Sequence, residues 1–337
     1  KLMTNVGQTS NRGIELQLNA WLIETKDFSL NATFNIGHNK NKIDKLASGE
    51  KEWILTSAWR NDVVNSDDYR AYVGGTSGLI YGYVNDGFYT VADFESFDSK
   101  SRTWKLKEGV VDSSPLSDTP RPGNAKFKKL TPVDPNSTNP YQLTEADRTV
   151  IGNTTPKFSG GFGLNATYKG FDMSMFFNFM YDFDVLNANK IMLTTWADNK
   201  ENNFLMDIAS DKRWRNFDDM GNEIRYSPEV LAEFNKNATM WNPTSIGRPI
   251  CMSYAVEDGS FLRLNSATLG YTLPSVWTKK VGLSKVRFYV SGNNLFTLTG
   301  YSGYDPEVNI ATGLTPNIDY NRYPRSRTYT FGAQLTF

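Results

Sequence analysis

The side chains best placed to do chemistry in this sequence are aromatic. Its 337 residues include 8 Trp, 17 Tyr and 21 Phe. Six of the tryptophans, Trp53, Trp59, Trp104, Trp196, Trp214 and Trp241, fall in long stretches without sustained strand alternation. A flat aromatic face stacks on the C–H face of a sugar ring, or covers an apolar peptide side chain. Arg60, Asn61 and Asp62 follow Trp59 directly, and Arg213 and Arg215 flank Trp214. Such groups hydrogen-bond hydroxyls and carboxylates, which makes the six tryptophans with Arg60 candidate ligand-binding residues. The competing reading is that they are packing anchors of large loops, or contacts to a partner protein.

Enzyme chemistry finds little support. The single histidine, His38, ends an alternating stretch beside no cysteine, and one His among many Ser supports no catalytic triad. The single cysteine, Cys251, allows neither an intrachain disulfide nor a Cys-based zinc site. The glycines Gly74, Gly75, Gly78 and Gly82 match no phosphate-binding loop, since no Lys-Ser/Thr follows. No enzyme and no organic cofactor are therefore expected. With 36 basic and 36 acidic residues the formal charge is zero, which argues against a nucleic-acid partner.

The elements that must hold these residues are strands. Ile14, Leu16, Leu18, Ala20 and Leu22 alternate with Glu15, Gln17, Asn19 and Trp21. After Glu24–Asp27 the pattern resumes as Phe28, Leu30, Ala32, Phe34 and Ile36. It returns at 158–168 and 171–181 around Lys169-Gly170. It appears again near 260–271, with a parity slip read as a bulge, then at 286–292 and 329–337. That makes about seven strands, joined alternately by short connections (24–27, 169–170, 272–285) and long ones (about 39–156, 183–259 and 297–326).

Putting every long loop at one end is the habit of outer-membrane barrels, whose strands of about ten residues span when tilted. No apolar run is long enough for a membrane helix, and mean hydropathy is −0.48. Aromatics at the short-turn ends (Phe28, Tyr168, Phe171, Tyr271, Phe337) fit an interfacial girdle. The expected fold is thus all-β: the C-terminal part of a large antiparallel transmembrane barrel, with its three long loops outside the cell. A soluble β-sandwich is the alternative. Seven strands leave the first as a bare edge in lipid, so the segment is expected to belong to a longer chain.

Several stretches then resemble one family. Asn11-Arg12-Gly13-Ile14-Glu15-Leu16, Ile151-Gly152-Asn153-Thr154-Thr155-Pro156-Lys157-Phe158 and Asp258-Gly259-Ser260-Phe261-Leu262-Arg263-Leu264 are three of them. Leu269-Gly270-Tyr271-Thr272-Leu273-Pro274, Asn294-Leu295-Phe296 and Gly303-Tyr304-Asp305-Pro306-Glu307-Val308 are three more. With the closing Arg327-Thr328-Tyr329-Thr330-Phe331-Gly332 and Phe337, they are similar, in order, to motifs of the SusC/RagA family of TonB-dependent outer-membrane transporters of Bacteroidetes. The resemblance implies a 22-stranded barrel with a plugged lumen, localisation in the bacterial outer membrane, and import of an oligosaccharide or other oligomeric nutrient. It implies a SusD-like surface lipoprotein as partner, TonB contacted through another part of the chain, and a dimer of transporter–lipoprotein pairs. Peptide import, a passive porin and a non-transporting adhesin or scaffold barrel are the alternatives.

The family often carries a calcium-type loop before the IGNxxPKF segment. Here Asp134, Asn136, Thr138, Gln142 and Glu145 occupy positions 1, 3, 5, 9 and 12 of such a loop. Asn139 stands where the turn glycine belongs, and only two carboxylates remain, so a loop that has lost its metal is the stronger reading. The 184–240 stretch also reads as partly helical, notably Pro228–Phe234, and suits a lid-docking surface.

Overall fold

The computed structural model describes residues 7–59, 67–117, 119–195, 203–246, 249–307, 309 and 313–337. Its spine is a seven-stranded antiparallel sheet whose strands lie in chain order. These are β1 (Gln8–Glu24), β2 (Phe28–Lys45), β3 (Phe158–Tyr168), β4 (Phe171–Tyr181), β5 (Phe261–Thr272), β6 (Lys285–Thr299) and β7 (Thr328–Thr336). The sheet is open, with β1 and β7 as its edges.

Register turns the alternation of each strand into rows across the sheet. Phe28, Tyr168, Phe171, Tyr271 and Phe288 are successive partners at the short-turn end, with the Phe171 and Tyr271 rings 4.5 Å apart. One row further along come Leu30, Ala166, Met173, Leu269, Val290 and Phe331. Next are Ala20, Ala32, Leu164, Met175, Ala267, Gly292 and Tyr329. Leu18, Phe34, Phe162, Phe177, Leu264 and Phe296 follow, with Phe162 stacked on Phe177 at 4.5 Å. The rows of Leu16 with Ile36 and of Ile14 with His38 complete the face. The expected girdle residues thus lie side by side, except Phe337, which sits beyond β7 and is 90% exposed.

The opposite face is polar and knitted by short side chains. Asn31 donates to Asn19 (2.7 Å), Ser29 bonds Thr167 (2.5 Å), Thr268 bonds Ser291 (3.0 Å), and Arg287 Nε donates to Asp172 (2.8 Å). The expected bulge is at Asn265. Its neighbours Leu264 and Ser266 pair consecutively with Phe177 and Phe176 on β4, and the β5–β6 register shifts at the same place.

The second strand is longer than the sequence pattern predicts. It continues to Lys45, so the first long connection begins at 46 and not near 39. Beyond His38 both faces of β2 become largely polar, which erases the period-2 signal. The ladder continues all the same, through Arg12–Lys40, Asn11–Asn41 and an Asn41-to-Asn11 side-chain bond of 2.9 Å. Strands β5 and β6 likewise carry the third connection's start out to residue 300.

The three long connections rise from one end of the sheet and fold together. One core joins Trp59, Tyr69 and Ile80 of the first, Leu186, Ile191 and Cys251 of the second, and Ile318 of the third. A second core packs Phe127, Leu143 and Tyr83 against Trp241, Met252 and Ile208. Backbone bonds stitch the seams: Tyr83 N–H to Cys251 O (3.0 Å), Ser253 N–H to Tyr83 O (2.9 Å), and Leu186 N–H to Asn317 O (2.9 Å). Residues 184–187 pair with 318–319 in parallel, the side chain of Asn317 donates to Thr154 O (2.9 Å), and Tyr69 Oη donates to Pro316 O (2.5 Å).

Candidate functional site

The structure re-sorts the loop residues expected to bind a ligand. Trp59, Trp214 and Trp241 are buried, at 8%, 2% and 2% exposure. Trp59 meets Tyr320 edge-on at 4.9 Å, Trp241 does the same with Tyr254 at 4.9 Å, and Trp214 with Phe88 at 5.7 Å. The indole N–H of Trp241 donates to Thr194 O (3.3 Å). These three therefore correct the ligand-stacking expectation: their faces are spent on holding the connections together. A flat, large apolar ring contributes most where it leaves water completely, and a long loop with no sheet of its own needs such anchors.

Trp53 is half-buried on residues 52–55, and its indole donates to Glu50. Trp104 is half-buried between Phe94 (5.3 Å) and Phe97 (4.8 Å). Arg60 and Trp196 lie outside the described residues. The helix over Pro228–Phe234 is present, with its Pro at the first turn, Leu231 turned into the core and Val230 52% exposed.

The residues in calcium-loop spacing do not converge. Asp134, Asn136, Thr138 and Glu145 are exposed. Gln142 instead turns inward, its side chain donating to Ser114 Oγ (3.4 Å) and its carbonyl accepting from Lys129 Nζ (3.1 Å). Among the described residues no cluster of three or more His, Cys, Asp or Glu is placed to hold a metal. The loop is closed by a carboxylate the spacing argument passed over. Asp147 is fully buried and accepts from Leu130 N–H (2.9 Å), Thr131 N–H (2.8 Å), Thr131 Oγ1 (2.7 Å) and Thr144 N–H (2.8 Å), with Lys129 Nζ at 3.3 Å. With the Thr144 hydroxyl (3.1 Å) the carboxylate meets five donors and an ammonium ion, so its oxygens are already taken and the donor set does not fit calcium.

Two buried carboxylates give the loop body opposed acid responses. Burial alone would push the Asp147 carboxyl up, but the hydrogen bonds from Thr131, Thr144 and Leu130 outweigh it and hold the pKa well below the usual range. Asp68, wholly buried, is raised to about 6, chiefly by burial, although Ser57 donates to it through both backbone and hydroxyl. The signs differ. Asp147 stabilises above its unfolded value near 3.8, and this is lost as pH falls. Asp68 binds its proton more tightly folded than unfolded, so its contribution is present at low pH and is lost between about 4 and 6 as pH rises. The first connection is therefore expected to resist protease best near pH 4. Asp68→Asn, which keeps an acceptor for Ser57 and carries no charge, should stabilise it at pH 7 by on the order of 2–3 kcal/mol. Proteolysis of both forms at pH 4.5 and 7 measures this; equal pH dependence in the two would refute it.

Three comparisons place the chain among known proteins. No family model matches it. TonB-dependent receptor P3 of Formosa agariphila is 32% identical over 339 residues, covering 99% of this chain and 29% of that protein. TonB-dependent receptor SusC of Bacteroides thetaiotaomicron is 26% identical over 343 residues, covering 100% and 27%. Among solved structures, the RagAB peptide transporter superposes with a TM-score of 0.65 at 22% identity, over 99% of this chain and 30% of that one. The open-open state of the RagAB peptide importer gives 0.64 at 23%, over 99% and 29%. The chain spans about 30% of the length of the curated relatives it matches. The ordered motifs, the seven-stranded antiparallel sheet and these matches agree: over essentially its whole length the chain is similar to part of the TonB-dependent receptors, SusC among them.

Proposed function

We propose that this chain forms part of the wall and the outer loops of a bacterial outer-membrane importer, which takes up an oligosaccharide or another oligomeric nutrient with a SusD-like lipoprotein and TonB as partners. The observation that carries the membrane reading is the apolar face of the sheet. Its six rows, from Ile14 to Phe28, are spaced two residues apart. At about 3.3 Å per residue that is roughly 33 Å along a strand, or about 25 Å of height at a tilt near 40°. The apolar band of such barrels has that height. Leu16, Leu18, Leu269, Phe288 and Phe331 stand exposed on this face, which lipid would cover. The polar face then belongs to the lumen, and the loop body to the outside.

Two measurements test the reading. Cysteine at exposed Lys100 or Met220 should react with an impermeant thiol reagent on intact cells, while cysteine at Lys26 or Lys279 should not. Reversed labelling would overturn the topology. Uptake of labelled oligomers across a panel of glycans and peptides should be lost on deletion of the gene and on collapse of the inner-membrane proton gradient. Uptake that survives the collapse would point to a passive porin, and no uptake defect on deletion would point to a scaffold. Selective loss of peptide uptake would move the cargo to peptides.

A further inference from the structure

Five arginines, Arg102, Arg121, Arg213, Arg215 and Arg225, border two adjoining clefts in the loop body of a chain with no net charge. The clefts share Asn216, Arg225 and Thr244. The outer one encloses about 470 Å³, and the inner one, lined by Arg102, Arg121 and Arg225, only about 70 Å³. The inner cleft is the narrower of the two, and its lining of three arginines with Asn124, Asn216, Thr244 and Ser245 suits an oxyanion group.

The aromatic residues here do not offer a free face. Tyr226 lies stacked against Phe97 at 6.1 Å, and the guanidinium groups of Arg102 (4.7 Å) and Arg225 (5.5 Å) lie over its ring. Trp104 is closed in by Phe94 and Phe97. Stacking fixes the plane of a guanidinium and leaves its N–H edges for a partner. Arg225 is paired with Glu223 and Arg215 with Asp219 (2.7 Å). Among the described residues no carboxylate lies within ion-pair distance of Arg102 or Arg121.

We propose that the inner cleft is an oxyanion receptor for a carboxylate or sulfate group carried by the cargo, with Arg102, Arg121 and Arg225 as its donors and the outer cleft holding the adjoining part of the cargo. This rests on the importer reading and narrows it to anionic oligosaccharides. Planar guanidinium forks match such oxygens through paired, charge-assisted hydrogen bonds. A neutral analogue leaves the cationic cleft unanswered, so discrimination between charged and neutral cargo follows.

The test is equilibrium binding to the detergent-purified receptor. The probes are a galacturonate tetrasaccharide beside its methyl ester, and a sulfated galactan tetrasaccharide beside its desulfated form. The first pair reads a carboxylate and the second a sulfate. At least one charged form should bind about tenfold or more tighter than its neutral partner. Arg102→Gln/Arg121→Gln should erase that preference by weakening the charged form about tenfold. Both side chains are exposed, so the fold should be retained; an unaltered thermal midpoint checks it. Equal binding within both pairs, or a preference that survives the double substitution, would overturn the proposal. Because binding needs no energy source, charge-selective binding without uptake would instead refute the importer reading and leave the site standing.

Discussion

Arg263→Met will loosen the third long connection more than any other single change on β5. The guanidinium is 1% exposed, with Nη2 2.6 Å from Asp305 Oδ1 and 3.1 Å from Glu307 Oε2, and it lies over the Phe261 ring at 5.3 Å. Arg325 adds a second cation to Glu307 at 3.2 Å. Removing one partner of a buried ion pair costs about 3–5 kcal/mol, because the remaining charge stays out of water without an answer. Here two carboxylates would be left, one of them only 5% exposed. The expected outcome is protease cleavage within 300–327 and a lowered thermal midpoint of the purified receptor. Adding Asp305→Asn and Glu307→Gln to Arg263→Met should recover most of the loss, since a neutral replacement of a buried pair is close to isoenergetic. A single variant as resistant as the parent would show that the network contributes nothing.

A comparable cost is expected from a charge on the apolar face, graded by depth. Met175 lies in a middle row, partnered by Leu164 and Ala267, while Phe171 lies in the aromatic row at the short-turn end. Arg at a lipid-facing midplane position costs about 2–4 kcal/mol, and near the interface about 0–1 kcal/mol. Met175→Arg should thus sharply reduce the folded fraction recovered in bilayers, and Phe171→Arg should barely change it. Equal sensitivity of the two would mean that this face packs against protein and not lipid.

The difference between what sequence revealed and what it hid is one of range. Strands that expose one face to an apolar medium and the other to a polar one must alternate, so β1, β3, β4 and β7 could be read off directly. The bulge at Asn265 was legible because a shift of parity has no other simple cause. The far end of β2 was hidden because its ladder bonds are made by backbone, whatever the side chains. In the loops the decisive neighbours are distant. Asp147 closes a loop through Leu130 and Thr131, and Arg102 meets Tyr226 across more than a hundred residues. No spacing rule reaches that far, and three of the six tryptophans expected to meet ligand, Trp59, Trp214 and Trp241, proved to be interior.

The parallel pairing of 184–187 with 318–319 has a consequence for how the protein is made. Until residues 316–319 arrive, Tyr69 lacks its acceptor, Leu186 has Val256 on one side but no parallel partner on the other, and the core shared by Trp59, Ile80 and Ile191 is open on the side that Ile318 fills. The first two connections can already close the core of Phe127 with Trp241 and the Tyr83–Cys251 seam, but the core around Trp59 stays open. Contacts so far apart along the chain form late, because their loop-closure entropy is met before any contact repays it. The outer body is therefore completed only when the third connection joins the first two. A chain still waiting for its third connection would present that open core to whatever proteases and chaperones share its compartment.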